Sequence, residues 1–379
     1  MQLVLIGRIR PIERLYGFDK QNILHRSLGY SLALFLLVHP LLLTIGYSGA
    51  NELSLTSQFL DFLFHWQDVS RALVGLLLMI GLIFVSLPII RKRIRYDRWH
   101  FVHLLMYAAV ALIFIHQTKS GDVARGAAFY YWYVLNFTIF GLVLLYRFVR
   151  PFYLFARHRF YVDKVVPETI NAVSIYIKGK NLERFQFAAG QYANFIFLQK
   201  KMLQSHPFSF SAAPNGEFLR ITIKAVGDFT SQIRNLKSGT MVIIDGPLGA
   251  FTEAMARRDK FLFIAGGIGI TPIRSLIESL SAKKKDVVLL YANKVPEEIA
   301  LRKELEFMSV KQTLVISEKP EGSYERGRVD AEKITRLVPD YLEREIFICG
   351  PPPMMKSIVQ LLRGLGADPS AIHFEKFSY

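Results

Sequence analysis

The segment HRSLGYSLALFLLVH, from His25 to His39, is an apolar stretch with an imidazole at each end. A second segment of the same kind, HLLMYAAVALIFIH, runs from His103 to His116. Histidine is costly inside a membrane helix and usually marks function there. A single histidine in such a helix is as often bonded to a neighbouring helix as it is functional. Four histidines at matched depths on two helices instead indicate two pairs of ligands.

Four apolar runs lie before residue 150, and each has about the 20 residues that cross roughly 30 Å of hydrocarbon. They cover residues 23–47, 72–90, 99–117 and 129–149. The whole chain is 51% hydrophobic, which is high for a soluble protein, and the excess of hydrophobic residues lies before residue 150. We therefore predict a multidomain membrane protein whose residues 1–150 form an α-helical transmembrane bundle of four helices.

Basic residues are distributed unevenly around these runs. RKRIRYDR separates the second run from the third, and further arginines follow the fourth, whereas the first loop is mainly acidic. Lysine and arginine collect on the cytoplasmic side of membranes. We expect everything beyond residue 150 to be cytoplasmic, in a protein of the plasma or inner membrane. The net charge of +16 flanks membrane helices, so it indicates contact with anionic lipid rather than nucleic acid.

The chain has one cysteine, Cys349, so an intramolecular disulfide is impossible. The start MQLVLIGRIR has no small-residue cleavage site, and we expect no cleavable signal peptide. LVLIG at residues 3–7 is compatible with the end of a longer upstream helix, in which case the chain begins incomplete.

The spacing of the histidines matches two sites stacked through a bilayer. His25 and His39 are fourteen residues apart, which is a rise of about 21 Å with both rings on one side of the helix. His103 and His116 are thirteen apart, a rise of about 19–20 Å. Because the first and third helices run in the same direction, His25 can meet His103 and His39 can meet His116.

Two imidazoles on opposite sides of a flat ligand describe bis-histidine ligation of haem iron. Zinc is the main rival, but its sites need three or four ligands close together. We therefore predict two haems. A spacing of thirteen leaves the second pair about 140° out of phase on an ideal helix, so either some local rewinding or a wide approach of the ring is required. His100 competes with His103 for the role of ligand. It is no better in phase with His116 on the helix, and its depth matches that of His25 less well.

Residues 151–255 contain short strand-like runs separated by turns, which predict an antiparallel β-barrel. The stretch SHPFSFSAAP, residues 205–214, lies within it. In KAVGDFTSQI, Gly227 precedes a predicted helix start and Thr230 offers a hydroxyl. A glycine before a helix N-terminus suits an anion, and an ordinary turn is the alternative.

Residues 256–379 predict a doubly wound α/β domain. KFLFIAGGIGITPIRSLIESL has the order strand, glycine turn, helix. Gly266, Gly267 and Gly269 would let the backbone approach a pyrophosphate, and Thr271 and Pro272 would begin the helix whose N-terminus faces the phosphates.

Further strands are predicted in DVVLLYANK and EIFICGPPPMM. The second strand places Cys349 and Gly350 at its carboxyl end, where ligands bind in such sheets. This position predicts contact between Cys349 and a nicotinamide, although a buried cysteine usually only packs.

The order of these parts resembles the ferric reductase and NADPH oxidase superfamily along almost the whole chain. Residues 1–150 resemble its haem domain, including the histidine spacings, and the remainder resembles a flavoprotein of the ferredoxin–NADP⁺ reductase type. The resemblance implies an oxidoreductase that moves electrons from cytoplasmic NADH or NADPH through FAD and two b-type haems. The implied acceptor is external, either O₂, which would give superoxide, or a ferric chelate.

The resemblance also assigns roles to residues. The positions that match the family's motifs are His25, His39, His103 and His116 for haem iron; His206, Pro207, Phe208 and Ser209 for the flavin; Lys224, Gly227 and Thr230 for the FAD pyrophosphate; Gly266, Gly267, Gly269, Thr271 and Pro272 for the nicotinamide nucleotide; and Cys349, Gly350 and Pro351 beside the nicotinamide. Ser209 would hydrogen-bond the isoalloxazine with Phe208 beside it. Phe377 would stack on the flavin where the nicotinamide enters, with Tyr379 as its competitor. Ser209, Cys349 and Phe377 are thus the implied catalytic residues.

The chain departs from the family in helix number, because six membrane helices are common there and four are predicted here, with a stub at residues 1–6. The choice between NADH and NADPH stays open: Lys294 suits a 2′-phosphate, whereas Glu297 and Glu298 oppose it. Two alternative functions stay open. The chain could be a haem and flavin subunit that passes electrons to a separate partner protein, or a soluble reductase whose membrane segment serves only as an anchor.

Overall fold

The computed structural model describes residues 1–66, 68–119, 125–308, 310–318, 322 and 324–375. The chain forms two compact units. One, the helical unit, comprises Met1–Gly7 and Gln21–Val143; the other, the sheet unit, comprises Arg8–Lys20 and Leu144–Tyr379. The second unit therefore includes a segment that precedes the first long helix in the sequence.

The α-helices follow one another along the chain as α1 Gln2–Ile6, α2 Arg10–Tyr16, α3 Phe18–Ala50, α4 Leu55–His65, α5 Val69–Val85, α6 Pro88–Arg91, α7 Tyr96–His103, α8 Met106–Lys119, α9 Gly126–Leu144, α10 Arg150–His158, α11 Asp228–Gln232, α12 Ile270–Ala282, α13 Arg302–Phe307, α14 Ala331–Leu337 and α15 Pro352–Gly364. A π-helical turn over Leu145–Val149 joins α9 to α10. The strands are β1 Tyr161–Thr169, β2 Ala172–Lys178, β3 Tyr192–Phe197, β4 His206–Ser209, β5 Leu219–Lys224, β6 Val242–Leu248, β7 Lys260–Gly266, β8 Asp286–Asn293, β9 Lys311–Ile316, β10 Glu325–Arg326, β11 Glu345–Cys349 and β12 Ile372–Phe374.

Three helical stretches of the described chain are long and apolar enough to cross a membrane: Lys20–Ala50, Arg98–Lys119 and Gly126–His158. A fourth span results only if α4 and α5, bent by 106° to each other, count as one. The predicted second span at residues 72–90 is shorter than expected, because α5 ends at Val85 and Pro88 starts a separate helix. The helical, membrane-spanning character of this part is nevertheless confirmed.

The helix that carries His103 and His116 is interrupted between them. Helix α7 ends at His103, and α8 begins at Met106. An uninterrupted helix would leave the two rings on different sides, and local rewinding at this break stays a prediction.

Helices α5 and α8 approach each other closely at a glycine. A Cβ atom on Gly75 would lie 2.8 Å from Cγ1 of Ile113 and 3.2 Å from the carbonyl oxygen of Ala109. Ala109 is fully buried. Small residues at a crossing let membrane helices pack backbone to backbone, and an ion pair of 3.0 Å between Asp68 and Lys119 joins the same two elements at one end.

In the sheet unit, the first half is built from two three-stranded antiparallel sheets, ordered β1-β2-β5 and β4-β3-β6. Single bridges join them, one between Tyr161 and Met241 and one between Phe210 and Ile221. The antiparallel architecture is confirmed, but the ladders do not run continuously through these bridges, so the expected barrel is not closed. Inward-facing side chains from both sheets, such as Ile175, Phe195 and Ile221, are fully buried and form one core.

The second half of the sheet unit is a six-stranded parallel sheet ordered β10-β9-β8-β7-β11-β12. Helices cover both faces, which explains why strands such as FLFIA are apolar throughout. From β7 the chain first builds outward through β8, β9 and β10, and then returns to the other side of β7 with β11. This reversal is the topological switch point at which doubly wound sheets bind ligands, and the predicted fold is confirmed.

The predicted domain ranges 1–150, 151–255 and 256–379 stay predictions. The packing adds one feature to them, since Arg8–Lys20 belongs with the sheet unit.

Candidate functional site

The two glycine-containing motifs of the parallel sheet meet at its switch point. Gly266 ends β7 and Gly350 follows β11, two strands that pair directly. A Cβ atom on Gly266 would lie 2.4 Å from the sulfur of Met354, and one on Gly350 would lie 3.0 Å from the Cα of Gly266. The backbones are thus in contact, and neither position has room for a side chain.

The three glycines of the first loop have different surroundings. A Cβ atom on Gly269 would lie 2.3 Å from the carbonyl oxygen of Cys349. Gly267 has a φ of +52° with no atom within 4 Å of an added Cβ. Gly266 and Gly269 are thus closely packed, whereas Gly267 adopts the left-handed conformation beside open space, where a phosphate could approach the backbone. The binding of a nucleotide by these three glycines stays a prediction.

Helix α12 begins directly after this loop. Thr271 donates a hydrogen bond from Oγ1 to the carbonyl of Ile268, 3.1 Å away, and Pro272 lies in the first turn, where its missing N–H is tolerated. The helix is thirteen residues long. Its N-terminal amides follow the carboxyl end of β7, which is the arrangement that the sequence predicts for a phosphate site.

Cys349 ends β11 with no exposed surface. Its side chain packs in the core with Phe347 and Ile270. Burial, with a smaller contribution from the Glu375 charge, raises the pKa of the thiol well above its usual value. The residue is consequently a protonated thiol, which excludes a thiolate nucleophile here; its contact with a nicotinamide stays a prediction.

The HPFS and GDFT segments also come together. Strand β4 pairs with β3 so that Ser209 faces Tyr192 across the ladder. The ring of His206 stacks on that of Phe229, with centroids 3.8 Å apart and planes 28° apart. Phe229 belongs to α11, so the predicted flavin strand and the predicted pyrophosphate segment form one surface.

Thr230 has a structural task in this segment. Its Oγ1 accepts hydrogen bonds from the backbone amides of Val226 and Gly227 at 2.9 and 3.0 Å, and donates to the carbonyl of Gly227. The hydroxyl fixes the entry into α11. Binding of a pyrophosphate by Gly227 and Thr230 stays a prediction.

Lys224 and Glu298 form an ion pair of 3.0 Å. Glu298 also accepts a hydrogen bond of 3.1 Å from the side chain of Asn171. Burial by itself would raise the pKa of Glu298, but the bonds from Lys224 and Asn171 lower it below its usual value. The lysine predicted for FAD and the carboxylate predicted to oppose a 2′-phosphate therefore neutralise each other, and they join the two halves of the sheet unit.

A second polar link between these halves was not expected from the sequence. Arg220 on β5 donates from Nη2 to the carbonyl of Ser211 at 2.7 Å, and Arg274 on α12 donates to the same carbonyl at 3.2 Å. Both guanidinium groups bind Glu304. The two arginines are buried. Sequence offers no signal for them, because basic residues in amphipathic strands and helices usually face water.

Glu13 is the other unexpected residue. It is 1% exposed and its Oε1 accepts hydrogen bonds from Tyr192 Oη at 3.0 Å and from the amide of Gly249 at 3.1 Å. Burial raises the pKa of this carboxyl above its usual value, although both bonds lower it. Tyr192 is the residue opposite Ser209, so a segment before the first span contacts the sheet that carries the predicted flavin strand β4.

Neighbouring arginines strengthen this contact. Arg8 forms an ion pair with Asp245, and Arg10 donates to the carbonyl of Gly246 at 2.9 Å. Nothing in a basic N-terminal stretch indicates which strand it binds, so this arrangement had no signal in the sequence.

In the helical unit, the structure brings His25 and His103 together, with ring centroids 6.4 Å apart and planes at 81°. An imidazole nitrogen sits about 2 Å from a first-row metal ion, so two imidazoles on opposite sides of one ion have centres roughly 6 Å apart. The pair fits a single metal held between two rings. The neighbouring His100 lies beside Trp99, with centroids 6.4 Å apart.

Within the described part of the chain, no three or more His, Cys, Asp or Glu side chains cluster as a metal site would require. The binding of haem iron by the histidine pairs stays a prediction. His39 lies on α3 and His116 on α8, and their pairing stays a prediction. Phe377 and its competitor Tyr379 lie outside the described residues.

Known families match three consecutive parts of the chain. Residues 1–114 match a ferric reductase like transmembrane component, residues 160–252 an FAD-binding domain, and residues 263–360 an oxidoreductase NAD-binding domain. With the fold and site above, these matches define the class: an FAD- and NAD-binding module of the oxidoreductase type follows a ferric-reductase-like transmembrane component. More particularly, its transmembrane component fused to that module is the architecture of the ferric reductase and NADPH oxidase type.

Similar proteins of known function match the reductase module. The glycine betaine monooxygenase reductase subunit of Pseudomonas aeruginosa (strain UCBPP-PA14) is 31% identical over 236 residues, which are 58% of this chain and 64% of that protein. The flavohemoprotein of Bacillus subtilis (strain 168) is 27% identical over 234 residues, 58% of each chain. The chain thus covers less than two thirds of these relatives.

Solved structures show the same fold. The FAD/NAD-binding domain of nitric oxide dioxygenase from Vibrio cholerae O1 biovar El Tor gives a TM-score of 0.52 at 22% identity, over 57% of this chain and 97% of that one. The flavohemoglobin of Malassezia yamatoensis gives 0.54 at 19% identity, over 93% of this chain and 97% of that one. At these identities the likeness is one of fold alone.

Proposed function

We propose that this chain carries electrons across a membrane, from cytoplasmic NADH or NADPH through FAD and two b-type haems to an external acceptor. The acceptor is O₂, which yields superoxide, or a ferric chelate, which yields ferrous iron. The observation that carries the proposal is the His25–His103 pair in a chain that also has FAD- and NAD-binding domains.

Each predicted residue has a task in this scheme. Gly267 and the N-terminus of α12 hold the phosphates of the nicotinamide nucleotide, while Gly266, Gly269, Gly350 and Pro351 set the packing of that loop. Ser209 donates to the isoalloxazine, with Phe208 beside it and Phe377 covering the flavin. FAD, when bound, accepts a hydride and releases its two electrons singly, as haem iron requires.

The haems are held by His25 with His103 and by His39 with His116. The chain's contribution is position and potential, so no protein nucleophile is needed, in keeping with the protonated Cys349. With two histidines holding each haem, the bound group would supply electron transfer to either acceptor without coordinating it. The membrane lipids are the remaining partners, at the plasma or inner membrane, with the sheet unit in the cytoplasm; no nucleic acid is involved.

A second function is favoured by the names of the similar proteins, several of which are reductase subunits or electron transfer components. In this alternative the chain passes electrons to a separate protein. The two functions differ in what the purified chain does alone with NADH: the first predicts superoxide or ferrous iron, and the second predicts reduced haem with little turnover until a partner is added.

The test uses the full-length protein in sealed vesicles with the sheet unit outside and ferricyanide trapped inside. We expect two haems and one FAD per chain, and reduction of the trapped oxidant on adding NADH or NADPH. His39→Ala removes one haem and stops trans-membrane reduction. His65→Ala, in an exposed histidine paired with Asp61, is the matched control and leaves both unchanged. Undiminished reduction in His39→Ala with unaltered haem content would refute the proposal.

A further inference from the structure

A serine beside the inner histidine pair is linked to three groups at once. Ser86 follows α5 and its Oγ donates to the carbonyl of Leu82 at 2.7 Å. The indole Nε1 of Trp99 donates to the same Oγ at 3.2 Å. Nδ1 of His103 lies 3.2 Å from it as well.

The hydrogen-bonding capacity of a hydroxyl decides the protonation of His103. Serine has one proton to donate and two lone pairs that accept. The proton is committed to Leu82, and the indole N–H, which can only donate, occupies one lone pair. The contact with His103 therefore requires that Nδ1 carry a hydrogen and donate it.

A neutral imidazole has one N–H and one lone pair. With the hydrogen fixed on Nδ1, the lone pair of His103 is on Nε2, the nitrogen left to bind a metal. Metal-ligating histidines generally donate their other N–H in this way, which fixes the tautomer and strengthens the ligand.

Trp99 adds a second constraint on the same ring. Its indole stacks on His103 with centroids 4.9 Å apart and planes only 20° apart. The guanidinium carbon of Arg91 lies 4.4 Å from the centre of the indole ring, a distance at which a cation is attracted to the ring face. The indole is thus held in place, and so is the plane of His103.

The opposite ligand has a different environment. The Nδ1 atom of His25 is buried with no hydrogen-bond partner among the described residues. The two imidazoles that face each other are therefore unequal, and the hydrogen-bonded His103 is the stronger electron donor.

We propose that Ser86 and Trp99 are positioning residues for His103: Ser86 sets which nitrogen binds iron, and Trp99 sets the orientation of the ring. The inference rests on the proposed function, in which His103 is an axial ligand of the inner haem. A ligand whose Nδ1–H is hydrogen-bonded stabilises ferric iron, so the contact also lowers the reduction potential of this haem relative to one without it.

The test compares substitutions at Ser86 in the full-length purified protein. Ser86→Ala removes the acceptor, Ser86→Thr keeps a hydroxyl, and Ser31→Ala is the control, because the Ser31 hydroxyl also donates to a carbonyl four residues earlier. The measurements are a redox titration of each haem followed by visible absorption, the low-spin EPR spectrum of the oxidised protein, and the loss of haem to apomyoglobin.

We expect Ser86→Ala to raise the potential of one haem, shift its EPR signal and release that haem about tenfold more readily. Ser86→Thr restores all three, and the other haem does not change. Trp99→Phe keeps a stacked ring without the N–H, and it should change the EPR signal less than Trp99→Leu, which loses both.

Equal potentials and spectra in Ser86→Ala and Ser31→Ala would overturn the inference while the proposed function stands. Equal shifts of both haems would overturn it too, because they indicate a general change in structure. A wild-type protein without low-spin bis-histidine haem would overturn the proposed function first and the inference with it.

Discussion

The two units define their candidate sites by different means. In the sheet unit, the nucleotide loop depends on backbone atoms that touch one another, at Gly266, Gly269 and Gly350. In the helical unit, the site depends on side chains, namely His25 and His103 with their neighbour Ser86. An added methyl group should therefore destabilise the fold most where two backbone segments are in contact. The loss of a side chain should weaken binding most where imidazoles are the ligands.

The largest effect is expected at Gly269. In Gly269→Ala, the Cβ would lie 2.3 Å from the carbonyl oxygen of Cys349, and a backbone group cannot move aside as a flexible side chain can. We expect a loss of about 3 kcal/mol or more in the free energy of unfolding, measured by thermal unfolding with flavin fluorescence, and loss of NADH binding. In Gly364→Ala, where nothing lies within 4 Å of the added atom, both should be preserved.

Glu13 makes its contacts through its side chain although it belongs to the sheet unit. It therefore tests whether a lost side chain can also destabilise this unit. Glu13→Ala leaves Tyr192 Oη and the Gly249 amide without this acceptor, and we expect a loss of about 2 kcal/mol. Glu13→Gln keeps an acceptor oxygen and should lose much less at neutral pH. A wild-type stability for Glu13→Ala would show that the contact contributes nothing to the fold.

The same residue predicts a pH dependence. The folded-state pKa of Glu13 is raised, so its contribution to stability is fully present below the pKa of glutamate in the unfolded chain, about 4.3. The contribution is lost as the pH rises through the folded-state pKa. Stability measured from pH 4 upward should therefore fall more in the wild type than in Glu13→Gln, and identical profiles would contradict the assignment.

Gly75 makes the corresponding test in the helical unit. Its added Cβ would meet Cγ1 of Ile113 at 2.8 Å, a side-chain atom that can shift, so Gly75→Ala should cost about 1 kcal/mol. Gly81→Ala, with nothing within 4 Å, should cost nothing in the same detergent-based unfolding assay. A larger loss in the free energy of unfolding for Gly75→Ala than for Gly269→Ala would contradict the expected difference between the two units.

The smallest effect is expected at the ion pair between Lys224 and Glu298. About a quarter of each side chain is exposed, and a double-mutant cycle with Lys224→Met and Glu298→Gln should give a coupling below about 1 kcal/mol. The coupling should fade with added salt. A coupling of several kcal/mol that resists salt would mean that this pair, like Gly269, is central to the joint between the two halves.

The sequence predicts elements well where periodicity or composition is strong. Long apolar runs indicated the spans, and continuous apolar strands followed by glycine turns indicated the parallel sheet. Each of these features depends on residues near one another in sequence.

Features that depend on distant residues were missed. The burial of Glu13, the carbonyl of Ser211 shared by Arg220 and Arg274, and the pairing of Lys224 with Glu298 all join segments far apart, and none has a local pattern. The barrel was predicted from short strand-like runs separated by turns, whereas closure depends on register at Tyr161 and Phe210, which sequence does not specify. The close contacts of Gly266 and Gly269 with other parts of the chain also have no local pattern, and the binding of a nucleotide by these glycines stays a prediction.

The membership of Arg8–Lys20 in the sheet unit has a consequence for biosynthesis. The ribosome makes Glu13 well before it makes Tyr192 and Gly249, and at about 5–20 residues per second the delay is roughly ten to fifty seconds. During this interval the apolar helices enter the bilayer while the carboxylate stays hydrated. The first half of the sheet unit thus packs against a segment translated before the long membrane helices, and a fragment that begins after those helices lacks the acid that Tyr192 binds.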